Sequence, residues 1–147
     1  MHHVIVGSGP AGVVAAETLR HLDRDADITL INSEDTPPYS RMAIPYYLTD
    51  QIKETGTHLR KKDGYFKDQD INIVSGQVSD IDLPNKTVSL IKSRTKVLEY
   101  DKLLLATGAS PNIPKIDGIR CDGVSTCWTL SDARYILNNI KKGSDVV

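Results

Sequence analysis

A glycine-rich stretch near the amino terminus carries the clearest chemical signal in the sequence. Residues 4–12 read VIVGSGPAG, which places Gly7, Gly9 and Gly12 in the spacing G-x-G-x-x-G. Gly7 permits a sharp turn in which a Cβ atom would clash, Gly9 lets the backbone approach a phosphate closely, and Gly12 lets a helix pack tightly on a strand. Backbone N–H groups at the start of that helix then face the phosphate. The pattern predicts a phosphate-binding loop built from Gly7, Ser8, Gly9, Pro10, Ala11 and Gly12.

The sequence around the loop predicts the elements that would position it. His2–Val6 is a short run rich in β-branched residues, typical of a buried parallel strand. From Pro10 to Leu22, apolar residues recur at helical spacing, and residues 26–32 predict a second strand. The apolar positions of this helix are Val13, Val14, Ala16, Leu19 and Leu22. Glycine spacing alone also arises by chance, but its place between a strand and a helix favours a dinucleotide site in a β-α-β unit.

The end of the second strand predicts the residues that hold a ribose. In such units an acidic residue about 20 positions beyond the loop binds a ribose hydroxyl. Here the strand ends in INSED, so Glu34 is the first candidate, with Asn32 and Ser33 as rivals for the same role.

Composition excludes several other classes of protein. The chain has 147 residues, of which 39% are hydrophobic and 25% charged, as in an ordinary globular domain. Its formal net charge of −1 indicates neither a nucleic-acid footprint nor a membrane surface, and no apolar run reaches the length of about 20 residues that spans a bilayer. Two cysteines, Cys121 and Cys127, fit a reducing compartment, so we expect a cytoplasmic protein. The histidines have no ligand-like companions, and no metal site is expected.

The segment after the second strand distinguishes between NAD and FAD as the ligand. Residues 35–48 read DTPPYSRMAIPYYL, where a simple NAD dehydrogenase would continue with another βα unit. This stretch resembles the flavoprotein pyridine-nucleotide reductases of the glutathione-reductase type. The resemblance is greatest to the branch with rubredoxin reductases, ferredoxin reductases and the flavin portion of NADH-dependent nitrite reductase. That branch has a Pro-Tyr-x-Arg signature, matched by residues 38–41. The resemblance implies FAD as cofactor, with the Arg41 guanidinium pairing with the second phosphate.

Two further segments extend the resemblance over essentially the whole chain. Residues 77–99 alternate strand-like runs with turn signals such as Pro84-Asn85, similar to the antiparallel meander inserted into the family's FAD domain. The resemblance implies that the backbone of Val78 contacts adenine. The run YDKLLLATGAS is similar to the family's second FAD signature and implies cofactor contacts by Ala106, Thr107 and Gly108. The expected fold is therefore α/β: a Rossmann-like FAD-binding domain with a mainly parallel sheet and an antiparallel three-stranded β-meander.

The cysteine pattern favours electron transfer without a protein disulfide. Relatives that reduce disulfides carry C-x-x-x-x-C on the helix after the glycine loop, and no cysteine occurs between Gly12 and Ser33. Relatives with a single redox cysteine carry it where this chain reads Met42-Ala43. Cys121 and Cys127 are expected to be small buried residues in or beside a last strand. The resemblance then implies hydride transfer from NAD(P)H to FAD and onward transfer to a small redox protein or attached metal centre, with no catalytic side chain assigned.

The end of the chain predicts a domain boundary. Residues 130–147 read as an amphipathic helix, Gly143 and the first residues of a new β-run. We expect residues 1–142 to form the amino-terminal part of an FAD-binding domain, and residues 143–147 to open an NAD(P)-binding domain. Two alternatives stay open: a single-domain NAD-dependent dehydrogenase, and a flavin-binding protein with a non-catalytic sensing role.

Overall fold

The computed structural model describes residues 1–141 and 143–146, which fall into two compact units. The first unit comprises Met1–Tyr39 and His58–Gly108, and the second comprises Ser40–Thr57 and Ala109–Val147. No helix in the described part of the chain has the length and apolar character needed to cross a membrane.

The first unit contains a parallel sheet and an antiparallel one. The parallel sheet has four strands, which are β1 (His2–Val6), β2 (Asp27–Asn32), β3 (Ile71–Ser75) and, last in the chain, β7 (Lys102–Leu105). Their spatial order is β3-β2-β1-β7, and the connection from β1 to β2 contains the helix α1 (Pro10–Leu22). The antiparallel sheet has the order β4-β5-β6, with β4 at Gln77–Asp82, β5 at Thr87–Ile91 and β6 at Val97–Glu99. A single helical turn, Tyr65–Asp68, precedes β3. The predicted α/β fold, with a parallel sheet and a three-stranded meander, is confirmed.

The two faces of β1 explain why its sequence is continuously apolar. Successive side chains of a strand point to opposite faces of the sheet. Ile5 packs in one cluster with Val13 of α1, whereas Val4 and Val6 pack in a second cluster with Val88 of the meander. A strand covered on both faces has no polar side, so β1 lacks the alternation that marks a half-exposed strand.

The helix α1 has the predicted bounds but buries a narrower stripe than its apolar residues suggested. Val13 and Ala16 are fully buried, whereas Val14 is 55% exposed and Leu22 is 76% exposed. Each residue turns an α-helix by about 100°, so Val14 lies well away from the line through Val13 that faces the sheet. The spacing of apolar residues therefore predicted more buried residues on α1 than the structure has.

The second unit is mainly helical. It contains a 3₁₀ turn at Arg41–Ala43, the short helix α2 (Ile44–Leu48), a second 3₁₀ turn at Glu54–Thr57 and, later in the chain, the helix α4 (Leu130–Asn139). The label α3 belongs to the helical turn Tyr65–Asp68 of the first unit. The guanidinium of Arg134 on α4 donates two hydrogen bonds to the Glu54 carboxylate, at 2.8 and 2.6 Å. The Tyr47 hydroxyl lies 3.4 Å from the same carboxylate, and burial followed by this negative charge raises the pKa of Tyr47.

The strand expected near Cys121 and Cys127 is absent from the described residues. Residues 109–129 form turns and irregular backbone, and both cysteines are exposed rather than buried. Among the described strands β7 pairs with β1 alone, so residues 109–129 add no strand to its outer edge. The β-run expected after Gly143 is not seen at residues 144–146, while Lys142 and Val147, on which that prediction also falls, lie outside the described residues.

A capping network fixes the start of α4. Thr129 is the N-cap and its hydroxyl accepts a hydrogen bond from Asp132 N, while Asp132 Oδ2 accepts one from Thr129 N, which makes a capping box. The same Oδ2 atom also accepts from Trp128 N and from the Thr126 hydroxyl, at 2.8 and 2.9 Å. Burial alone would raise the pKa of Asp132, but these hydrogen bonds outweigh it and hold the pKa below its usual range.

We predict that Asp132→Asn lowers the free energy of unfolding by about 1 kcal/mol at pH 7, because the amide loses the charge that strengthens the cap. The Asp132 pKa is lower in the folded chain than in the unfolded one, where it is about 3.9. Its contribution is therefore complete above about pH 4 and is lost as pH falls through the folded-state pKa. Urea unfolding at neutral and acidic pH measures both effects.

The exposed Asp145 provides the matched control. Asp145→Asn should leave unfolding within about 0.5 kcal/mol of the wild type. An Asp132→Asn deficit of the same size at about pH 2.5 and at pH 7 would contradict the assignment of the stabilisation to the charged carboxylate.

Candidate functional site

Three predicted site segments of the first unit meet at one edge of its parallel sheet. The glycine loop follows β1, residues 32–36 end and follow β2, and residues 106–108 follow β7. Since all these strands are parallel, their carboxyl ends lie together. The chain runs from β1 to β2 on one side, whereas β7 joins β1 on the other, so the strand order reverses here. Ligands of open α/β sheets bind in the crevice at such a reversal.

Two glycines of the loop are required by backbone packing. Gly7 has a φ of +112°, and a Cβ atom on it would overlap the carbonyl oxygen of Ala106. A Cβ atom on Gly12 would overlap the carbonyl oxygen of Gly7. Gly7 N also donates to Ile31 O at 3.0 Å, and Ala106 N donates to Val6 O at 2.8 Å. The loop is therefore held against the ends of both β2 and β7.

Gly9 differs from Gly7 and Gly12 because the packing of the backbone does not require glycine at this position. Its φ of −72° and ψ of −177° are open to any residue, and a Cβ atom there would meet no atom within 4 Å. Gly9 is the N-cap of α1, no side chain caps it, and Val13 N donates to its carbonyl oxygen at 3.0 Å. The first N–H groups of a helix have no intrahelical acceptor, and the helix dipole is positive at this end. The space in front of Gly9 is therefore open, as the close approach of a phosphate to this backbone requires, and a side chain would enter it.

Asn32 joins the glycine loop to the turn after β2. The side chain is only 7% exposed. Its Oδ1 accepts hydrogen bonds from Ser8 Oγ at 2.8 Å and from Glu34 N at 3.2 Å, and its Nδ2 donates to Thr36 O at 2.6 Å. The amide is thus engaged within the protein through both its oxygen and its nitrogen. This arrangement fits a residue that positions Ser8 and Glu34 better than one that binds a ligand itself.

Glu34 has a protein partner that the sequence reasoning did not identify. The Tyr39 hydroxyl donates to Glu34 Oε2 at 2.7 Å, and Tyr39 is 5% exposed. The Pro37-Pro38 turn between the two residues is the sequence signal that could have indicated a chain reversal bringing them together. Tyr39 orients the carboxylate, while Ser33 beside it is exposed.

Val78 lies at the start of the meander, close to the end of β2. Gly76 N donates to Asn32 O at 2.9 Å, which brings the chain to this edge of the sheet. The Val78 side chain packs against the cluster between the parallel sheet and the meander. The β4–β5 register shifts between Val78 and Asp80, and at such an irregularity the ladder leaves backbone groups unpaired. A backbone contact to a ligand at Val78, as predicted, is compatible with this geometry.

Arg41 belongs to the second unit, where its guanidinium lies over an aromatic ring. Arg41 Cζ is 5.4 Å from the centroid of the Trp128 ring, and Arg41 Nε is buried. Sequence reasoning selected Arg41 and missed Trp128, because 86 positions separate them and no local spacing relates them. The described residues contain no group of three or more His, Cys, Asp or Glu side chains that could hold a metal ion.

Comparison with known proteins gives consistent matches over the whole chain. Residues 1–147 match the family model for pyridine nucleotide-disulphide oxidoreductases. An NADH oxidase of Methanocaldococcus jannaschii is 36% identical over 97% of this chain and 33% of its own length. A rubredoxin-NAD(+) reductase of Ectopseudomonas oleovorans is 32% identical over 98% of this chain and 37% of its own length. The solved structure of a NAD-dependent persulfide reductase from A. fulgidus matches with a TM-score of 0.86 at 32% identity, over 94% of this chain and 26% of that one. The chain thus spans about a third of the length of the curated relatives it matches.

We predict that Asn32→Ala lowers the free energy of unfolding by about 1–3 kcal/mol, because it leaves buried hydrogen-bonding groups of the 32–36 turn without partners. Ser33→Ala, at the exposed neighbouring position, should change it by less than about 0.5 kcal/mol. Thermal and urea unfolding of both variants measure the difference. Equal stability of the two variants would contradict a structural role for the Asn32 amide.

Proposed function

Because the chain belongs to the pyridine nucleotide-disulphide oxidoreductase family, we propose that it binds FAD within an NAD(P)H-dependent oxidoreductase. Proteins of this family are FAD-containing, NAD(H)-dependent reductases. The observation that carries the proposal is the space in front of Gly9, which meets the start of α1 and which a Cβ atom would enter without touching the protein.

We assign the site residues as follows. The glycine loop, residues 7–12, binds one phosphate through backbone N–H groups of the first turn of α1. Glu34, oriented by Tyr39, accepts hydrogen bonds from the adenosine ribose, with Ser33 beside it and Asn32 holding the turn. Arg41 pairs with the second phosphate, the Val78 backbone contacts adenine, and the remaining contacts come from Ala106, Thr107 and Gly108. Residues 1–142 are then the amino-terminal part of the FAD-binding domain, and residues 143–147 lead into an NAD(P)-binding domain.

When bound, FAD accepts a hydride from NAD(P)H and passes electrons on singly. The chain's own residues bind and orient the dinucleotide. No cysteine lies between Gly12 and Ser33, and Met42 cannot form a thiolate, so the chain has neither the cysteine pair nor the single redox cysteine at the positions that the resemblance implies for them. We propose that the electrons go to a small redox protein or an attached metal centre, which the rubredoxin-NAD(+) reductase relative supports.

The single-domain dehydrogenase is the weaker alternative. A dehydrogenase of the doubly wound type continues from its third parallel strand through a helix to a fourth. Here β3 is followed by the antiparallel meander, and β7 then joins the sheet beside β1. In the non-catalytic sensing role, bound flavin would not be reduced by NADH, whereas in the proposed role it would. Anaerobic addition of NADH therefore distinguishes the two.

We predict that Gly9→Ala separates binding from folding. The free energy of unfolding should change by less than about 0.5 kcal/mol, since the backbone conformation suits alanine and no atom is displaced. The affinity for FAD should fall at least about tenfold, since the methyl group occupies the phosphate position. Titration followed by flavin fluorescence, together with urea unfolding, measures both quantities.

Two further variants control this comparison. Thr18→Ala changes an exposed residue further along α1 and should keep both stability and FAD affinity. Gly12→Ala should prevent correct packing, because its Cβ atom overlaps backbone. Gly9→Ala with wild-type FAD affinity would refute the placement of a phosphate in front of Gly9.

We predict that the complete gene product is yellow, with flavin absorption bands at about 370 and 450 nm. The bands should bleach on anaerobic addition of NADH or NADPH, because the nucleotide reduces the flavin. A protein that is colourless and takes up no added FAD would overturn the cofactor assignment. Bound flavin that neither nucleotide reduces would instead favour the sensing role.

A further inference from the structure

We propose that Trp128 is a positioning residue for Arg41: its indole ring restricts the guanidinium that we assign to a phosphate of the dinucleotide. This inference rests on the proposed function, which assigns Arg41 to the second phosphate. It adds a residue that neither the glycine loop nor the Pro-Tyr-x-Arg signature includes.

The contact between the two side chains has the geometry of a cation–π interaction. Arg41 Cζ lies 5.4 Å from the ring centroid of Trp128, within the range of about 6 Å over which the ring attracts a cation. Tryptophan is the strongest partner among the aromatic side chains, and this is the one tryptophan in the sequence. Arg41 Nε is buried, so this part of the guanidinium is shielded from solvent.

The indole itself is held at two points. Its ring N–H donates to the carbonyl oxygen of Ala109 at 3.0 Å, and its backbone N–H donates to Asp132 Oδ2 at 2.8 Å. Asp132 is part of the capping box of α4, so the backbone of Trp128 is tied to the first turn of that helix. Ala109 directly follows the predicted cofactor segment 106–108 along the chain. The platform beneath Arg41 is therefore attached to the structure through both its side chain and its backbone.

A ring in this position leaves an arginine suited to bind a phosphate. Phosphate oxygens are bound by the N–H groups of a guanidinium. The indole carries an N–H donor and no acceptor, so the ring does not take up the donors that a phosphate needs. An arginine side chain loses rotamer freedom when it binds, and an aromatic platform that restricts it beforehand reduces this loss.

A double-mutant cycle tests whether Trp128 acts through Arg41. FAD dissociation constants are measured by flavin fluorescence for the complete gene product as wild type, Trp128→Leu, Arg41→Gln and the double variant. We expect Trp128→Leu to weaken FAD binding about fivefold when Arg41 is present and less than about twofold when Arg41→Gln is already in place. Trp128→Phe keeps an aromatic face and should restore part of the affinity, which a role limited to the Ala109 hydrogen bond would not allow.

The outcomes separate the inference from the proposed function. Equal losses from Trp128→Leu in both Arg41 backgrounds would show that Trp128 only packs, and would overturn the inference while FAD binding stands. A complete gene product that binds no FAD would overturn the proposed function and this inference with it. If Trp128→Leu fails to fold, Trp128→Met, which fills space without an aromatic face, replaces it in the cycle against Arg41→Gln, and equal losses there would again overturn the inference.

Discussion

The close approach of three backbone segments at the end of β1 is the constraint on which the first unit depends. The Gly7 Cα faces the carbonyl oxygen of Ala106, and the Gly12 Cα faces the carbonyl oxygen of Gly7, in both places without room for a side-chain carbon. These contacts bring the start of α1 and the end of β7 to the same point. Because the strands are parallel and α1 begins there, the positive end of the helix dipole opens at the edge of the sheet.

The predictable part of the fold is the part encoded by local periodicity. The apolar run of β1, the helical spacing of α1 and the turn signals between β4 and β5 each involve residues that are near one another in the sequence. The parallel pairing of β1 with β7 was not indicated by the sequence, since no local pattern relates residues about a hundred positions apart. The strand expected beside Cys127 was wrong: residues 109–129 form turns and irregular backbone, because local composition does not by itself determine strand formation.

The candidate site shows the same division. Glycine spacing indicates the loop, because each glycine answers a local steric demand. The hydrogen bonds of Asn32 and the Tyr39–Glu34 bond depend on how the turn after β2 folds back, and the contact of Arg41 with Trp128 joins distant parts of the sequence. Sequence reasoning therefore selected Asn32 and Glu34 as candidate ligand-binding residues but did not indicate that Glu34 N donates a hydrogen bond to the Asn32 side chain.

The differing steric environments of the loop glycines have a consequence for the history of such chains. A variant of this chain that no longer bound a ligand would still require glycine at positions 7 and 12, because a Cβ atom there overlaps backbone. Position 9 would then tolerate other residues. In the three-glycine pattern, two glycines are thus required for folding and one for ligand binding. Of the three loop glycines, Gly9 is the one that the packing of this chain's own backbone does not require.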